Sequence, residues 1–168
     1  MFTGVNQYVD AGDPASLRLA GSWTVSAWVY PTALPTGANY YTLAEKDAAG
    51  YYSNYSLSLQ TPGWAIIFQD TGGTAYHANY ATSISTGTWY LVTGVWDSVG
   101  QNLYLYVNGA LVATQNETGH VPDANSGRNL IIGETNGGGD NFPGTIDEVR
   151  VYNRALSPQE IWQLYNGT

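Results

Sequence analysis

The chain has 168 residues, 43% hydrophobic and only 11% charged, so it can bury a core and fold as one domain. Its formal net charge is -8 and it has five Lys and Arg in total, which leaves no basic surface for a nucleic acid and disfavours anionic membranes. The absence of cysteine excludes disulfides, thiolate metal sites and a cysteine nucleophile. No apolar run approaches the roughly 20 residues that span a membrane.

Short segments rich in Val, Ile, Tyr and Trp predict strands, because clusters of Gly, Pro, Asn and Asp separate them. In chain order they are NQYVDA, SLRLA, SWTVSAWVY, YYTLAEK, YYSNYSLSLQ, GWAIIFQ, TAYHANYA, TWYLVTGVWD, NLYLYVNG, ALVATQ, NLIIGE and GTIDEVRVY. Asn108 and Gly109 predict a hairpin, because both central positions of a type I′ turn need a positive φ. We therefore expect one all-β domain over residues 1–168.

The last dozen residues predict a short helix. Ser157, Pro158 and Glu160 supply an N-cap, a proline in the first turn and a capping box. One face of this helix is apolar and carries Ile161, Leu164 and Tyr165. A single apolar stripe on so short a helix predicts that it docks on the sheet as a closing element.

Alternation gives the longer strands one aliphatic face and one polar, aromatic face. In NLYLYVNG, for example, Leu103 and Leu105 oppose Tyr104 and Tyr106. A polar face with large rings suits sugar binding, because pyranose rings stack on aromatic rings while amides and hydroxyls pair with sugar hydroxyls. Tyrosines on a strand face also stabilise a sheet through cross-strand pairs, so the pattern leaves both interpretations open.

Seven segments occur in a characteristic order along almost the whole chain. They are FTGVNQYVDAGD, WTVSAWVYP, AEKDAAGYYSNYSLSL, TWYLVTGVWD, QNLYLYVNGALVAT, NLIIGE and GTIDEVRVYNRALSPQEIWQLY. Together they resemble the laminin G-like domains of the concanavalin A-like lectin and glucanase superfamily. The resemblance implies a jelly-roll sandwich of two antiparallel sheets with a short C-terminal helix, often an accessory module of secreted polysaccharide-degrading enzymes.

The resemblance also implies a structural calcium ion. The run DEVRVY resembles the final strand of laminarinase-type glucanases, where an aspartate and backbone carbonyls of the N-terminal strand hold Ca²⁺. Carried over, the aspartate is Asp147 and the carbonyl oxygens lie near Gly4. A calcium ion takes about six to eight oxygens, so one carboxylate with carbonyls and waters suffices. The alternative is that Asp147 caps a turn or pairs with an arginine.

Catalysis is not expected. A retaining glycoside hydrolase needs two carboxyl groups on one face, at i and i+2 or i+4 of a strand, whereas the predicted central strands carry Ser and Thr there. In the last strand Glu148 shares its face with Arg150, which indicates an ion pair. Neither histidine has an adjacent nucleophile motif, and a lyase has local support only from Tyr76, His77 and Tyr80.

The sequence therefore favours a non-catalytic, lectin-like carbohydrate-binding module. We expect it to be secreted, monomeric and attached to a larger protein, with a polysaccharide or oligosaccharide as ligand and with neither nucleic acid binding nor membrane insertion. The alternative is a protein-interaction or adhesion domain of the laminin G type without a sugar ligand. A glycan-active hydrolase or lyase is a third, weaker interpretation.

The candidate sugar-binding residues come from the runs YYSNY, TAYHANY and NGGGDN and from Trp64. For contact with sugar rings they are Tyr51, Tyr52, Trp64, Tyr76, His77 and Tyr80, and for sugar hydroxyls they are Asn136, Asp140 and Asn141. Alternation does not tell which face of each strand is concave. The alternative platforms, on the concave face, are Trp28, Tyr104 and Tyr106.

Overall fold

Two antiparallel six-stranded sheets pack face to face as a jelly-roll sandwich, which confirms the predicted fold. The structure, a computed structural model, describes residues 1–3, 7–37, 39–48, 52–124, 126–135 and 140–167, and it describes only the backbone of residues 48, 52 and 126. Within these ranges, no helix is both long enough and apolar enough to cross a membrane.

The strands are numbered in chain order and are shared equally between the sheets. Sheet A has the order β1 (Phe2–Thr3), β12 (Pro143–Tyr152), β3 (Trp23–Pro31), β8 (Tyr90–Asp97), β9 (Asn102–Val107) and β10 (Ala110–Asn116). Sheet B has the order β2 (Val9–Asp10), β11 (Ser126–Ile132), β4 (Tyr40–Ala48), β5 (Tyr52–Gln60), β6 (Gly63–Gln69) and β7 (Ala75–Tyr80). The predicted hairpin joins β9 to β10, with φ of 51° at Asn108 and 78° at Gly109.

Large apolar side chains fill the space between the sheets. The aliphatic sets predicted for β3, β5 and β9 have 0% exposure at Trp23, Val25, Ala27, Val29, Tyr55, Leu57, Leu59, Leu103 and Leu105. Aromatic pairs add to them, such as Phe68 and Trp96, whose ring centroids are 4.9 Å apart. Gly94 of β8 allows the sheets to approach, because a Cβ there would lie 2.3 Å from a side-chain atom of Ile66.

The predicted closing helix, α1 (Pro158–Asn166), is present and docks on the outer face of sheet A. Its capping box is complete, because the Ser157 hydroxyl accepts from the Glu160 N–H at 3.3 Å and the Glu160 carboxylate accepts from the Ser157 N–H at 2.8 Å. Ile161 is fully buried. It shares a second, smaller apolar cluster with Val95, Tyr106 and Leu156.

The N-terminal segment differs from prediction. The run SLRLA forms no strand, and its first two residues belong to a 3₁₀ turn at Ala15–Leu17, while NQYVDA contributes only the two residues of β2. Pro14 precedes this turn, and the Arg18 guanidinium lies 2.8 Å from the Asp13 carboxylate. The proline and the local ion pair thus favour a turn where the short apolar alternation alone predicts a strand.

We expect Glu160→Gln to destabilise the protein at neutral pH and to have a smaller effect in acid. A hydrogen bond from Arg154, together with those from Ser157, lowers the pKa of Glu160 to about 2. Because an unfolded glutamate titrates near pH ~4.3, the ionised Glu160 stabilises the fold fully above that pH and loses this effect as pH falls through about 2.

Urea unfolding of both proteins, at neutral pH and at steps between about pH 5 and 2, measures this difference. Arg154→Met removes the first cause of the lowered pKa and should reproduce most of the loss at neutral pH. A gap between wild type and Glu160→Gln that stays constant across this pH range contradicts the prediction.

Candidate functional site

The outer face of sheet B is the main sheet face on which no described helix lies. On sheet A, α1 and the segment before it cover much of the corresponding face, where Thr24 and Ser26 have 0% exposure. The Thr24 hydroxyl donates to the Arg154 carbonyl at 2.9 Å and accepts from the Leu156 N–H at 3.0 Å. No described helix lies on the outer face of sheet B, although Thr42, Ser56 and Ser58 there are only 0 to 3% exposed. A ligand would therefore reach this face at the half-buried Tyr40 and Asp140.

The side chains on this outer face are mainly small and polar. One row across the strands consists of Glu45, Ser56, Ile67 and His77. A neighbouring row consists of Thr42, Ser58, Ala65 and Asn79. Hydroxyl, amide and carboxylate groups of this kind match the donors and acceptors of sugar hydroxyls.

A hydrogen-bonded group at one end of this face fixes the position of Asp140. The Thr42 and Thr135 hydroxyls lie 2.9 Å apart, and the Thr135 hydroxyl donates to the Asp140 carboxylate at 3.2 Å. The Asp140 carbonyl accepts from the Thr42 N–H at 2.9 Å. The pKa of Tyr40 is raised by burial, by the charges of Asp140 and Glu45 and by a hydrogen bond to Asp140. A hydrogen bond to Thr135 acts in the opposite direction. The phenol of Tyr40 therefore stays neutral and can donate a hydrogen bond.

Two carboxyl groups that sequence analysis overlooked lie at the middle of this face. Ser56 donates to the Glu45 carboxylate at 2.9 Å, and Ser53 donates to Asp47 at 3.2 Å. Burial raises the pKa of Asp47, and hydrogen bonds from Ser53 and Glu45, together with the charge of Arg128, partly offset it.

The strands predicted to be central, now β5, β6 and β8, do lack paired acids, but the prediction left out β4, which is also central in sheet B. The run AEKDA places Glu45 and Asp47 at i and i+2 of β4, a spacing that the sequence already contains. Both side chains are buried, at 5% and 4% exposure, and each is held by its own serine. The pair is therefore not arranged to flank a sugar bond from an open cleft.

All five basic residues of the chain have acidic neighbours. The ion pairs are Arg18 and Lys46 with Asp13, Arg150 with Glu148 and Arg154 with Glu160, at nitrogen to oxygen distances of 2.6 to 2.9 Å. The positive charge of Arg128 acts on Asp47. The surface thus presents acidic and neutral groups, and every cation that could recognise an anionic ligand already faces a carboxylate.

Trp64 is not a ligand contact, which corrects the sequence prediction. Its side chain is 1% exposed and packs on Tyr90 with ring centroids 5.4 Å apart. Tyr80 is its direct partner on β7 and packs against the same core. The run GWAIIFQ is apolar at nearly every position, so alternation could not distinguish the inner from the outer side of β6.

The structure separates Tyr76 from His77, because alternation on β7 sends them to opposite faces. Tyr76 stacks on Phe68 and on His120, with ring centroids 5.1 and 4.3 Å away. Its hydroxyl donates to Asp70 at 3.0 Å and lies 2.6 Å from His120 Nδ1. His77 alone of this pair is on the outer face of sheet B, where it is exposed.

The other candidates have mixed outcomes. Tyr51, Asn136 and Gly4 lie outside the described residues, as does the side chain of Tyr52. Asn141 is half-buried, and its side-chain oxygen makes no hydrogen bond to the described part of the chain. On sheet A, Tyr106 is 4% exposed beneath α1 and is not a sugar platform, and Tyr104 packs in the same cluster.

Asp147 lies at a bulge of β12, directly across from Trp28 of β3. Its carboxylate accepts from the N–H of Glu148 at 2.8 Å. The described residues of β1 pair with Pro143 and Gly144, about 10 Å along the strand from Asp147. Within the described ranges no three acidic or histidine side chains are grouped to hold a metal. The predicted site needs only one carboxylate with backbone carbonyls and water, so the calcium ion stays a prediction.

The comparisons with known proteins agree with the architecture. A laminin G-type family model of the concanavalin A-like lectin/glucanases superfamily matches residues 3–162. No curated protein sequence matches the chain.

Among solved structures, the carbohydrate-binding module CBM40 of the Ruminococcus gnavus IT-sialidase, bound to α2,3 sialyllactose, has a TM-score of 0.81 at 16% identity, with 98% of this chain and 95% of that chain covered. The binding domain of botulinum neurotoxin serotype G has a TM-score of 0.78 at 16% identity, and the match covers 95% of this chain and 40% of that chain. The SAP-like pentraxin of Limulus polyphemus has a TM-score of 0.67 at 18% identity, and the match covers 98% of this chain and 79% of that chain. At these identities the likeness concerns the fold.

We expect Trp64→Ala to lower the free energy of unfolding by about 3 to 5 kcal/mol, because it empties a large site in the core. His77→Ala is the matched control on the neighbouring strand and should change stability by no more than about 0.5 kcal/mol, because His77 is exposed. Urea unfolding measures both. Equal, small effects would show that Trp64 lies on the surface.

Proposed function

Because the chain belongs to the concanavalin A-like lectin/glucanase superfamily over residues 3–162, we propose that it is a non-catalytic carbohydrate-binding module whose ligand lies on the outer face of sheet B. The observation that carries this proposal is the hydrogen-bonded group of Thr42, Thr135 and Asp140, with the Tyr40 phenol near it, beside the serine-rich strands. These groups are held in place before a ligand arrives, which reduces the entropy lost on binding.

The ligand in this proposal is a neutral glycan. Sialyllactose, which the Ruminococcus module binds, carries a carboxylate. In this chain every basic residue already faces a carboxylate, and Glu45, Asp47 and Asp140 give the proposed site an acidic character. An acidic sugar would be repelled, whereas the hydroxyls of a neutral sugar can donate to Asp140 and accept from Tyr40.

The absence of catalysis is also part of the proposal. The burial of Glu45 and Asp47 supports it, because two carboxyl groups at 5% and 4% exposure that bond to Ser56 and Ser53 are not open to a sugar and its attacking group. The module would be exported and monomeric, as an accessory domain of a larger polysaccharide-active protein. In support, the chain spans 95% of a sialidase module of similar fold but only 27% of the Streptococcus pneumoniae sialidase NanB.

We expect the module to bind neutral oligosaccharides with dissociation constants in the micromolar to millimolar range and to bind sialylated counterparts more weakly. Asp140→Asn and Tyr40→Phe should each weaken binding of the neutral ligand about tenfold, because each removes a hydrogen-bonding group from the site. A glycan array identifies the ligand, and calorimetry then gives the affinities.

The matched control is Asp97→Asn, which alters a carboxylate at the end of β8 on sheet A and should leave glycan affinity unchanged. Thermal unfolding of each variant confirms that it is folded. Tighter binding of sialylated than of neutral glycans would contradict the proposed ligand class. The absence of any glycan ligand would favour a protein-interaction domain instead.

A structural calcium ion remains a prediction that chelation can test. If Asp147 holds Ca²⁺ together with carbonyls and water, EDTA lowers the melting temperature, added calcium restores it, and Asp147→Ala no longer responds. Asp97→Asn should respond like the wild type. Identical melting curves with and without EDTA would contradict a bound calcium ion.

A further inference from the structure

A cleft on the outer face of sheet A, beyond the part covered by α1, has no role in the proposed glycan site. The cleft is shallow and open, with a volume of about 410 Å³, and is lined by Trp28, Trp89, Asp147 and Glu148. We propose that this cleft binds an organic cation, specifically a quaternary ammonium group, against the two indole rings and the Asp147 carboxylate.

The two tryptophan rings form adjacent walls of the cleft. The ring centroids of Trp28 and Trp89 are 6.5 Å apart and their planes meet at 79°. Trp28 also stacks on Tyr165 of α1 at 5.7 Å, and Trp89 packs on Tyr30 at 5.5 Å. Trp89 is nevertheless 42% exposed. Each ring is thus held by a neighbour, while the cleft stays open to a cation. The faces of indole rings attract cations more strongly than the faces of other aromatic side chains do.

Asp147 supplies the negative charge. It lies directly across from Trp28 in the strand register, which places the two Cβ atoms about 4.5 to 5.5 Å apart. Within the described part of the chain, no basic side chain pairs with Asp147. Glu148, in contrast, lies 2.8 Å from the Arg150 guanidinium. Of the two carboxylates at the cleft, one is therefore neutralised and the other is available to a ligand.

The backbone around Asp147 is held in an unfavourable conformation. The register of β12 shifts between Asp147 and Arg150, and Glu148 has a φ of 48°, which is uncommon outside glycine. Bulges of this kind redirect side chains and are frequent beside functional sites. The bulge thus sets the direction in which the Asp147 side chain leaves β12 beside Trp28.

The chemistry of the lining favours a quaternary ammonium over a primary ammonium or a guanidinium. Those groups carry several N–H donors, and each loses free energy when it leaves water without finding an acceptor. The described lining offers one uncompensated carboxylate and two rings. A quaternary ammonium has no N–H donor, and its diffuse charge matches the π faces. The net charge of -8 further favours the approach of a cation.

Choline is the probe, and its neutral isostere, in which a tert-butyl group replaces the trimethylammonium group, is the matched ligand control. Titration followed by NMR of the indole N–H groups should give saturable shifts at Trp28 and Trp89. We expect the isostere to bind at least about fivefold more weakly, because it has the same shape without the charge.

Trp89→Leu and Asp147→Asn should each raise the dissociation constant of choline about tenfold, whereas Asp97→Asn should leave it unchanged. Melting curves of the variants verify the fold, and intact neutral-glycan binding in both variants distinguishes this cleft from the site on sheet B. The proposal would be overturned if choline and its isostere bound with equal affinity. It would also be overturned if excess calcium abolished choline binding, because Asp147 would then be a metal ligand.

Discussion

The docking of α1 on sheet A determines which surfaces of this sandwich remain for ligands. Each sheet commits one face to the core, so only two outer faces are left. Ile161 is fully buried against sheet A, and the hydroxyl of Thr24 binds the backbone on both sides of Ala155, so a large part of that face is closed. The polar face of sheet B and the aromatic end of sheet A remain, and both proposed sites follow from this one packing arrangement.

Charge then limits what these surfaces can recognise. With thirteen acidic and five basic residues, the chain has more than enough carboxylates to pair every cation. Lys46 illustrates the consequence, because its ammonium is 1% exposed and contacts the Asp13 carboxylate and the Arg128 carbonyl. Such a buried cation serves the fold rather than a ligand. The excess of carboxylates therefore favours neutral or cationic ligands at both sites.

Much of the fold could be predicted from local sequence, and much of the site could not. The capping box at Ser157 and the turn at Asn108 involve residues that are close in the chain, so both could be predicted from the local sequence. Tyr76 and His120 are separated by 44 positions, and only the packed structure joins them. Trp64 was misplaced because both faces of β6 are apolar. A bulge at Leu43 disturbs simple alternation on β4, the strand that carries the acidic pair, although the i, i+2 spacing of that pair was visible in the sequence.

Ligand binding at one proposed site should not affect binding at the other. They lie on the outer faces of sheets that pack about 10 Å apart, with a filled aromatic core between them. They share no side chain, because Asp140 lies in the segment before β12 and bonds to Thr42 of sheet B, whereas Asp147 lies within β12 of sheet A. Substitutions so far apart usually act additively. A rigid sandwich of this kind can therefore hold a weakly bound glycan on one side while the cleft on the other side binds a different ligand.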